Sequence, residues 1–305
     1  MVLQLERPRM FDVLIVGGGP AGLSAALMLG RCRRSVLVCD LGQPRNRRSL
    51  ALHGYLTRDG IAPADFNDLG RGELPAYGVE MRAIGVTGAR PRKDHYRIAL
   101  ADGSEERARF LLIASGVVDS LPEIAGFEEC YGRSLFHCPY CDGWEVRDRR
   151  LAAFGQGHHL SALALGLTTW SRDVVACTNG TRLEPRLRQR LAANGVTVRT
   201  ERIARLEHGN GTLEKIAFAG GDPLPRDAMF FTTGQHPQSD LAIRLGCTLT
   251  SRGTVKTGTQ CDTNVPRLFV VGDASRDAQF VVVAAAEGVK AAVAINRALQ
   301  SEELS

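Results

Sequence analysis

The chain has 305 residues, which at about 150 residues per domain suggests two domains. Hydrophobic residues make up 44% and charged residues 23%, a balance that excludes disorder as the main state and any collagen-like repeat. The formal net charge of +5 is carried by Arg residues scattered along the chain, densest at 31–34 and 147–150, so no nucleic-acid footprint is expected.

A short apolar strand is predicted over 11–16. It runs into Gly17-Gly18-Gly19-Pro20-Ala21-Gly22 and a helix from Leu23 to about Gly30. A second strand over 35–39 ends at Asp40, completing a β-α-β start. The stretch 41–65 is polar with mixed Gly and Pro. Strand-like pieces follow over 79–87, 96–100 and 110–115, and the alternation at 96–100 enters a turn at Ala101-Asp102-Gly103. A second β-α-β start is predicted from a strand over 151–154, the turn Gly155-Gln156-Gly157, a helix over 160–169 and a strand over 173–177. Towards the end, a strand over 268–271 closes in Gly272-Asp273, and 280–299 reads as a helix. The fold class is therefore α/β with two Rossmann-like, doubly wound domains. Pro-containing junctions at 117–122 and 234–239 suggest that the second is inserted in the first, because a tail of about 65 residues has too few strands for its own doubly wound sheet.

No run of about 18 apolar residues indicates a membrane span, and the first ten residues lack a signal-peptide core, so a cytoplasmic protein without membrane partners is expected. The eight Cys residues should then be mostly free thiols, six of them small buried hydrophobes. The close pair, Cys138 and Cys141, requires a chemical reason. Cys138-Pro139-Tyr140-Cys141-Asp142-Gly143 can close a small disulfide ring that opens and reforms. Zinc needs four ligands; His137 is a third and a fourth is not apparent, so a redox pair is favoured and no metal is expected. Asp142 is placed to move a proton to or from a thiolate, with a helix cap or turn as its bland alternative. His137 and His53 are candidate bases, though a His in such a loop is more often structural. For Tyr140 and Trp144 aromatic packing is the expected role and a substrate wall the alternative.

Gly17-x-Gly19-x-x-Gly22 follows a strand and opens a helix, with Asp40 at the end of the next strand. These features together predict dinucleotide binding, with the pyrophosphate on the helix N-terminus and a ribose hydroxyl on the acid.

The order Val16 to Gly22, Ala114-Ser115-Gly116, Cys138 to Gly143, Val270-Val271-Gly272-Asp273-Ala274 and 284–292 resembles the low-molecular-weight thioredoxin reductase family of FAD proteins. The similarity runs from about residue 11 to 300. The resemblance implies a discontinuous FAD domain (1–116 and 237–305), an inserted NAD(P)-type domain carrying the Cys pair (117–236), and a homodimer. It implies FAD held by Gly17, Gly19, Pro20, Ala21 and Gly22, with Asp40 at its ribose, Gln43 and Asn46 lining the cofactor, and Gly272 and Asp273 at its ribityl chain. Cys141 would face the flavin, Cys138 would exchange with substrate, and Asp142 would carry the proton. NADPH-using relatives place paired Arg residues after the second strand of the inserted domain to grip the 2′-phosphate. Here Thr178-Asn179-Gly180-Thr181 follows, and the nearest Arg is Arg182, so NAD(P)H is doubtful. Cys-Pro-Tyr-Cys with Gly143-Trp144-Glu145, and Pro44-Arg45-Asn46 before His53-Gly54, are more similar to the dithiol oxidases of the gliotoxin and holomycin type.

The reading is an FAD-dependent dithiol–disulfide oxidoreductase, favoured as a thiol oxidase with oxygen as acceptor. Its substrate would be a small dithiol or disulfide, or a thioredoxin-like protein. The alternatives are an NAD(P)H-dependent disulfide reductase, a ferredoxin-linked relative and a non-catalytic redox sensor.

Overall fold

The structure, a computed structural model, describes residues 9–275 and 278–305. The chain divides into two units. One comprises the chain to Arg47, Ala64–Val118 and His236–Ser305; the other comprises Arg48–Pro63 and Asp119–Gln235. The second unit thus interrupts the sequence of the first, and it also takes in Arg48–Pro63, a stretch that lies well before the Cys pair in sequence.

The first unit begins with β1 (Phe11–Val16), α1 (Pro20–Arg31) and β2 (Val36–Cys39). Both strands are apolar almost throughout because a parallel sheet is covered on both faces. Pro20 sits in the first turn of α1, where an N–H has no helical partner anyway. The helix starts three residues earlier than its apolar pattern suggests. α2 (Pro63–Glu73) is invisible to hydrophobic periodicity: its sequence is mostly polar and contains two Gly residues. The strand expected over 79–87 is two strands, β3 (Glu80–Arg82) and β4 (Val86–Pro91), which pair with different partners. β5 (Tyr96–Leu100) falls where expected. β6 is Glu105–Ile113; it ends before Ser115 because the chain turns at Gly116, whose φ is +69°. Among the described residues the seven-stranded sheet runs β3-β2-β1-β6-β5-β4, with one further strand on β6. Its β1–β2, β1–β6 and β2–β3 pairs are parallel, and its β4–β5 and β5–β6 pairs antiparallel.

The chain leaves through β7 (Val117–Asp119). The second unit holds α3 (Phe127–Cys130), β8 (Leu135–Phe136), α4 (Pro139–Asp142), β9 (Leu151–Phe154), α5 (Gly157–Leu167), β10 (Val174–Cys177), α6 (Pro185–Ala193) and β11 (Thr197–Arg199). β12 (Ile203–Gly209), β13 (Thr212–Phe218) and β14 (Leu224–Pro225) form an antiparallel ribbon, and β15 (Ala228–Phe231) returns to the main sheet. That sheet is parallel, in the order β11-β10-β9-β15-β8. Its central strands, β9, β10 and β15, are wholly buried. β8 is short, lies on the edge and leads directly into His137 and Cys138. The Cys loop therefore sits at the carboxyl end of a parallel strand, where open α/β sheets place their sites.

β16 (Gln235–Pro237) pairs with β7 on the way out. The return adds α7 (Leu241–Arg244), β17 (Leu268–Val270), which pairs with β6 in parallel, and the long α8 (Val281–Leu304). α8 crosses α1 closely: a Cβ on Gly288 would lie 2.1 Å from the Ala21 carbonyl oxygen. Among the described residues no helix is long and apolar enough to cross a membrane.

Candidate active site

The turn after β1 is built by glycines for steric reasons. Gly17 has φ +105°, and a Cβ there would sit 2.5 Å from the Ala114 carbonyl oxygen. A Cβ on Gly22 would sit 1.9 Å from the Gly17 carbonyl oxygen. Among the described residues no atom beyond its chain neighbours lies within 4 Å of a Cβ placed on Gly19, so the backbone at the N-terminus of α1 is open to an approaching group. Pro20 and Ala21 form the first turn of α1, whose exposed N–H groups and dipole favour an anion there. The Asp40 carboxylate reaches this turn: a Cβ on Gly18 would lie 2.8 Å from its Oδ2. Arg71 on α2 donates to the same oxygen at 2.9 Å, a partner hidden from sequence because α2 itself is.

The other expected cofactor residues lie in the same unit. Gly272 (φ +71°) comes within 3.2 Å of the Ala21 side chain, measured from its would-be Cβ. Its N–H donates to Glu287 Oε2 at 2.8 Å, and Glu287 is only 5% exposed. Arg45 donates to Asp273 Oδ2 at 3.1 Å and to Gln279 Oε1 at 2.6 Å. Asn46 is half-buried on the short 3-10 turn Arg45–Arg48. Gln43 is exposed, and its carbonyl accepts from Gln238 Nε2 at 3.3 Å. Arg45 entered the sequence reading only within the motif Pro44-Arg45-Asn46, and neither it nor Gln279 nor Glu287 was expected as a site residue; a lone acid within an apolar helix, Glu287, was the available signal. Gln279 Nε2 is buried and has no hydrogen-bond partner among the described residues, an uncommon state for an amide. The open backbone at Gly19, the crowded Gly17 and Gly22, and this orphaned donor together fit a dinucleotide such as FAD.

In the second unit, Cys138 and Cys141 form a disulfide with Cα atoms 5.3 Å apart. Cys138 caps α4 in extended conformation, and Pro139 occupies the first helical turn. The Cys141 N–H donates to the Cys138 carbonyl at 3.1 Å, which folds the two sulfurs together. Gly143 is required by its neighbour, since a Cβ would meet the Trp170 ring at 2.8 Å. The aromatic side chains do not pack in a core as expected: Tyr140 is 78% and Trp144 65% exposed. Tyr140 meets the Trp170 ring edge-on, and the Arg147 guanidinium lies over Trp144 at 4.1 Å.

Asp142 is half-buried. Burial pushes its carboxyl up from 3.8 to about 7; the Glu145 charge adds to the rise and His53 opposes it. A carboxyl raised in this way favours the native state most fully below pH 3.8, and that contribution disappears as pH rises through about 7. Unfolding free energy should therefore fall between those limits by more in the parent protein than in Asp142→Asn, by a few kcal/mol. Chemical denaturation across pH checks this, and parallel curves for the two proteins contradict it.

His137 faces Asp119. Its Nδ1 lies 3.9 Å from Asp119 Oδ2, and the Tyr131 hydroxyl donates to the same oxygen at 2.6 Å. His53 instead approaches the Cys segment, with Nε2 3.5 Å from Glu145 Oε1.

Five of the six remaining thiols are buried. Cys39, Cys130, Cys177, Cys247 and Cys261 are buried, whereas Cys32 is half-buried and departs from the expectation. Burial pushes the Cys39 thiol up to about 11 and Cys177 to about 12, which keeps both protonated and unreactive. Among the described residues no group of three or more His, Cys, Asp or Glu side chains is arranged to hold a metal ion.

The sequence matches the pyridine nucleotide-disulphide oxidoreductase family over residues 11–288. It is 31% identical to a protein of Arthroderma benhamiae named a probable thioredoxin reductase, over 96% of this chain and 81% of the relative. It is 29% identical to thioredoxin reductase sirT of Leptosphaeria maculans, over 95% and 94%. The crystal structure of HlmI superimposes with a TM-score of 0.93 at 34% identity, covering 96% of this chain and 94% of that one. Family membership implies FAD as cofactor, in agreement with the residues around Gly19 and Gln279. The chain belongs to the pyridine nucleotide-disulphide oxidoreductase family, as a thioredoxin reductase-like enzyme.

Proposed function

We propose that the protein is an FAD-dependent thiol oxidase, which forms a disulfide in a small dithiol and delivers the electrons to oxygen. The observation that carries this direction is the loop after β10. Thr178 Oγ1 donates to the Thr181 carbonyl at 2.6 Å, and Thr181 Oγ1 to the Thr178 carbonyl at 2.8 Å. Asn179 Oδ1 accepts from the Ile203 N–H at 2.8 Å. The polar side chains of the loop are thus turned inward on the loop's own backbone and on β12. A 2′-phosphate would need bidentate Arg donors there. Arg199, on the neighbouring strand, is engaged with Glu201 and the Asp222 carbonyl and lies over Phe218.

The chemistry uses the residues of the Cys loop. A substrate thiol gives its proton to the Asp142 carboxylate, and the thiolate attacks Cys138 Sγ. The Cys138–Cys141 bond breaks with its electron pair on Cys141. The second substrate thiolate attacks the substrate sulfur of the mixed disulfide, and Cys138 leaves as a thiolate. A proton affinity near neutrality suits Asp142 to both taking and returning the proton. FAD supplies the two-electron link to oxygen, giving one hydrogen peroxide per disulfide formed.

An NAD(P)H-dependent reductase is favoured by the names of the relatives, which are thioredoxin reductases, and by one feature of the loop. The Cβ of Arg202 lies 3.8 Å from the position a Cβ on Gly180 would take, so a cation borders the same loop. Oxygen uptake separates the readings. With dithiothreitol as probe, the oxidase consumes one oxygen per dithiol and needs no nicotinamide. Consumption of NADPH or NADH coupled to reduction of a disulfide, with no uptake on dithiol alone, would establish the reductase.

A further inference from the structure

We propose that His53 is a positioning residue for the redox site: seated between Asp59 and Glu145, it joins Arg48–Pro63 to the Cys loop and, with Glu145, sets when Asp142 releases its proton. The inference rests on Asp142 being the proton carrier of the thiol exchange.

Arg48–Pro63 stands before α2 in sequence yet packs in the unit that holds the disulfide. Its ends are tied by the Leu52 N–H to the Ile61 carbonyl at 2.7 Å and the Gly60 N–H to the Leu52 carbonyl at 2.8 Å. Within this closed loop the Gly54 N–H donates to Asp59 Oδ1 at 2.8 Å, which fixes the carboxylate beside the ring. His53 Nδ1 lies 3.5 Å from Asp59 Oδ1, and Nε2 3.5 Å from Glu145 Oε1. A carboxylate thus faces each ring nitrogen. The ring is 20% exposed and Glu145 38%, so the pair is partly shielded from solvent.

Two charges act on Asp142, and they oppose each other: Glu145 favours the protonated carboxyl, and His53 favours the carboxylate. The neighbouring disulfide is neutral, and His137 is turned to Asp119. The His53–Glu145 contact therefore binds the two opposing charges into one pair.

The test uses the full-length, FAD-loaded protein. Difference infrared spectra against Asp142→Asn identify the protonated carboxyl of Asp142, and its band is titrated against pH. The midpoint should move up in His53→Gln and down in Glu145→Gln, each by about half a unit or more. His53→Lys, which keeps a positive charge, should return it towards the parent value. Midpoints that stay put, or move in the same direction in both variants, overturn the proposal. Should His53→Gln fail to fold, the exposed Glu145→Gln carries the test alone, and an unmoved midpoint there overturns it. Turnover of Asp142→Asn at the parent rate would instead remove the proton-carrier reading itself.

Discussion

Cys138→Ser and Cys141→Ser are each expected to lower kcat for dithiol oxidation by about a thousandfold or more. Each variant lacks the bond that a substrate thiolate must break. Cys138→Ser removes the sulfur under attack, and Cys141→Ser removes the leaving group, so an activated disulfide reagent added to the latter should leave a stable mixed disulfide on Cys138, releasing its other half as a thiolate. Structural damage does not explain such a loss. The ring closed by Cys138 and Cys141 spans three residue steps, and loop-closure entropy for so short a ring is worth about 2 kcal/mol. Both variants should therefore fold and keep their flavin colour. Cys39 and Cys177 cannot substitute, since burial keeps both protonated. Turnover retained in both variants would refute the dithiol mechanism.

Two glycines of one turn should respond in opposite ways. Gly22→Ala places a methyl 1.9 Å from the Gly17 carbonyl oxygen, inside the contact that lets α1 start against β1. Backbone must move on both sides, so a large loss of folded protein is expected, with destabilisation of about 3 kcal/mol or more. Gly19→Ala meets, among the described residues, no atom beyond its chain neighbours within 4 Å. It should leave the thermal midpoint of the FAD-free protein nearly unchanged and yet weaken FAD about tenfold or more, because the open space is where a pyrophosphate reaches the backbone. Thermal melts of the apoprotein and FAD titrations read the two effects separately. Equal FAD affinity in Gly19→Ala and the parent would place the cofactor elsewhere.

The features legible in the sequence are those whose physics is local. β1, the glycine turn and Asp40 announce a β-α-β unit because the turn needs positive φ and the parallel strands need apolar residues on both faces. β9 and β10 are readable for the same reason. α2 is not, since its polar sequence is held by tertiary contacts, and with it Arg71, the partner of Asp40, was lost. Gly288 looks like an unfavourable residue in a helix; its purpose appears only where α8 crosses Ala21. At the Cys pair the redox motif is plain, whereas the placement of His53 against Glu145 depends on Arg48–Pro63 joining a unit that begins dozens of residues later. Tyr140 and Trp144 stay exposed and pack only at the surface, on Trp170 and Arg147. Long-range pairing of this kind leaves no periodicity to read.

The most direct test of the oxidase reading is an anaerobic titration of the FAD-loaded protein, following the oxidised-flavin absorbance while a small dithiol, NADPH or NADH is added in separate runs. The account predicts stoichiometric bleaching by the dithiol, none by either nicotinamide, and recovery of the colour on admitting air. Rapid stoichiometric bleaching by NADPH or NADH would contradict it and make the protein a disulfide reductase.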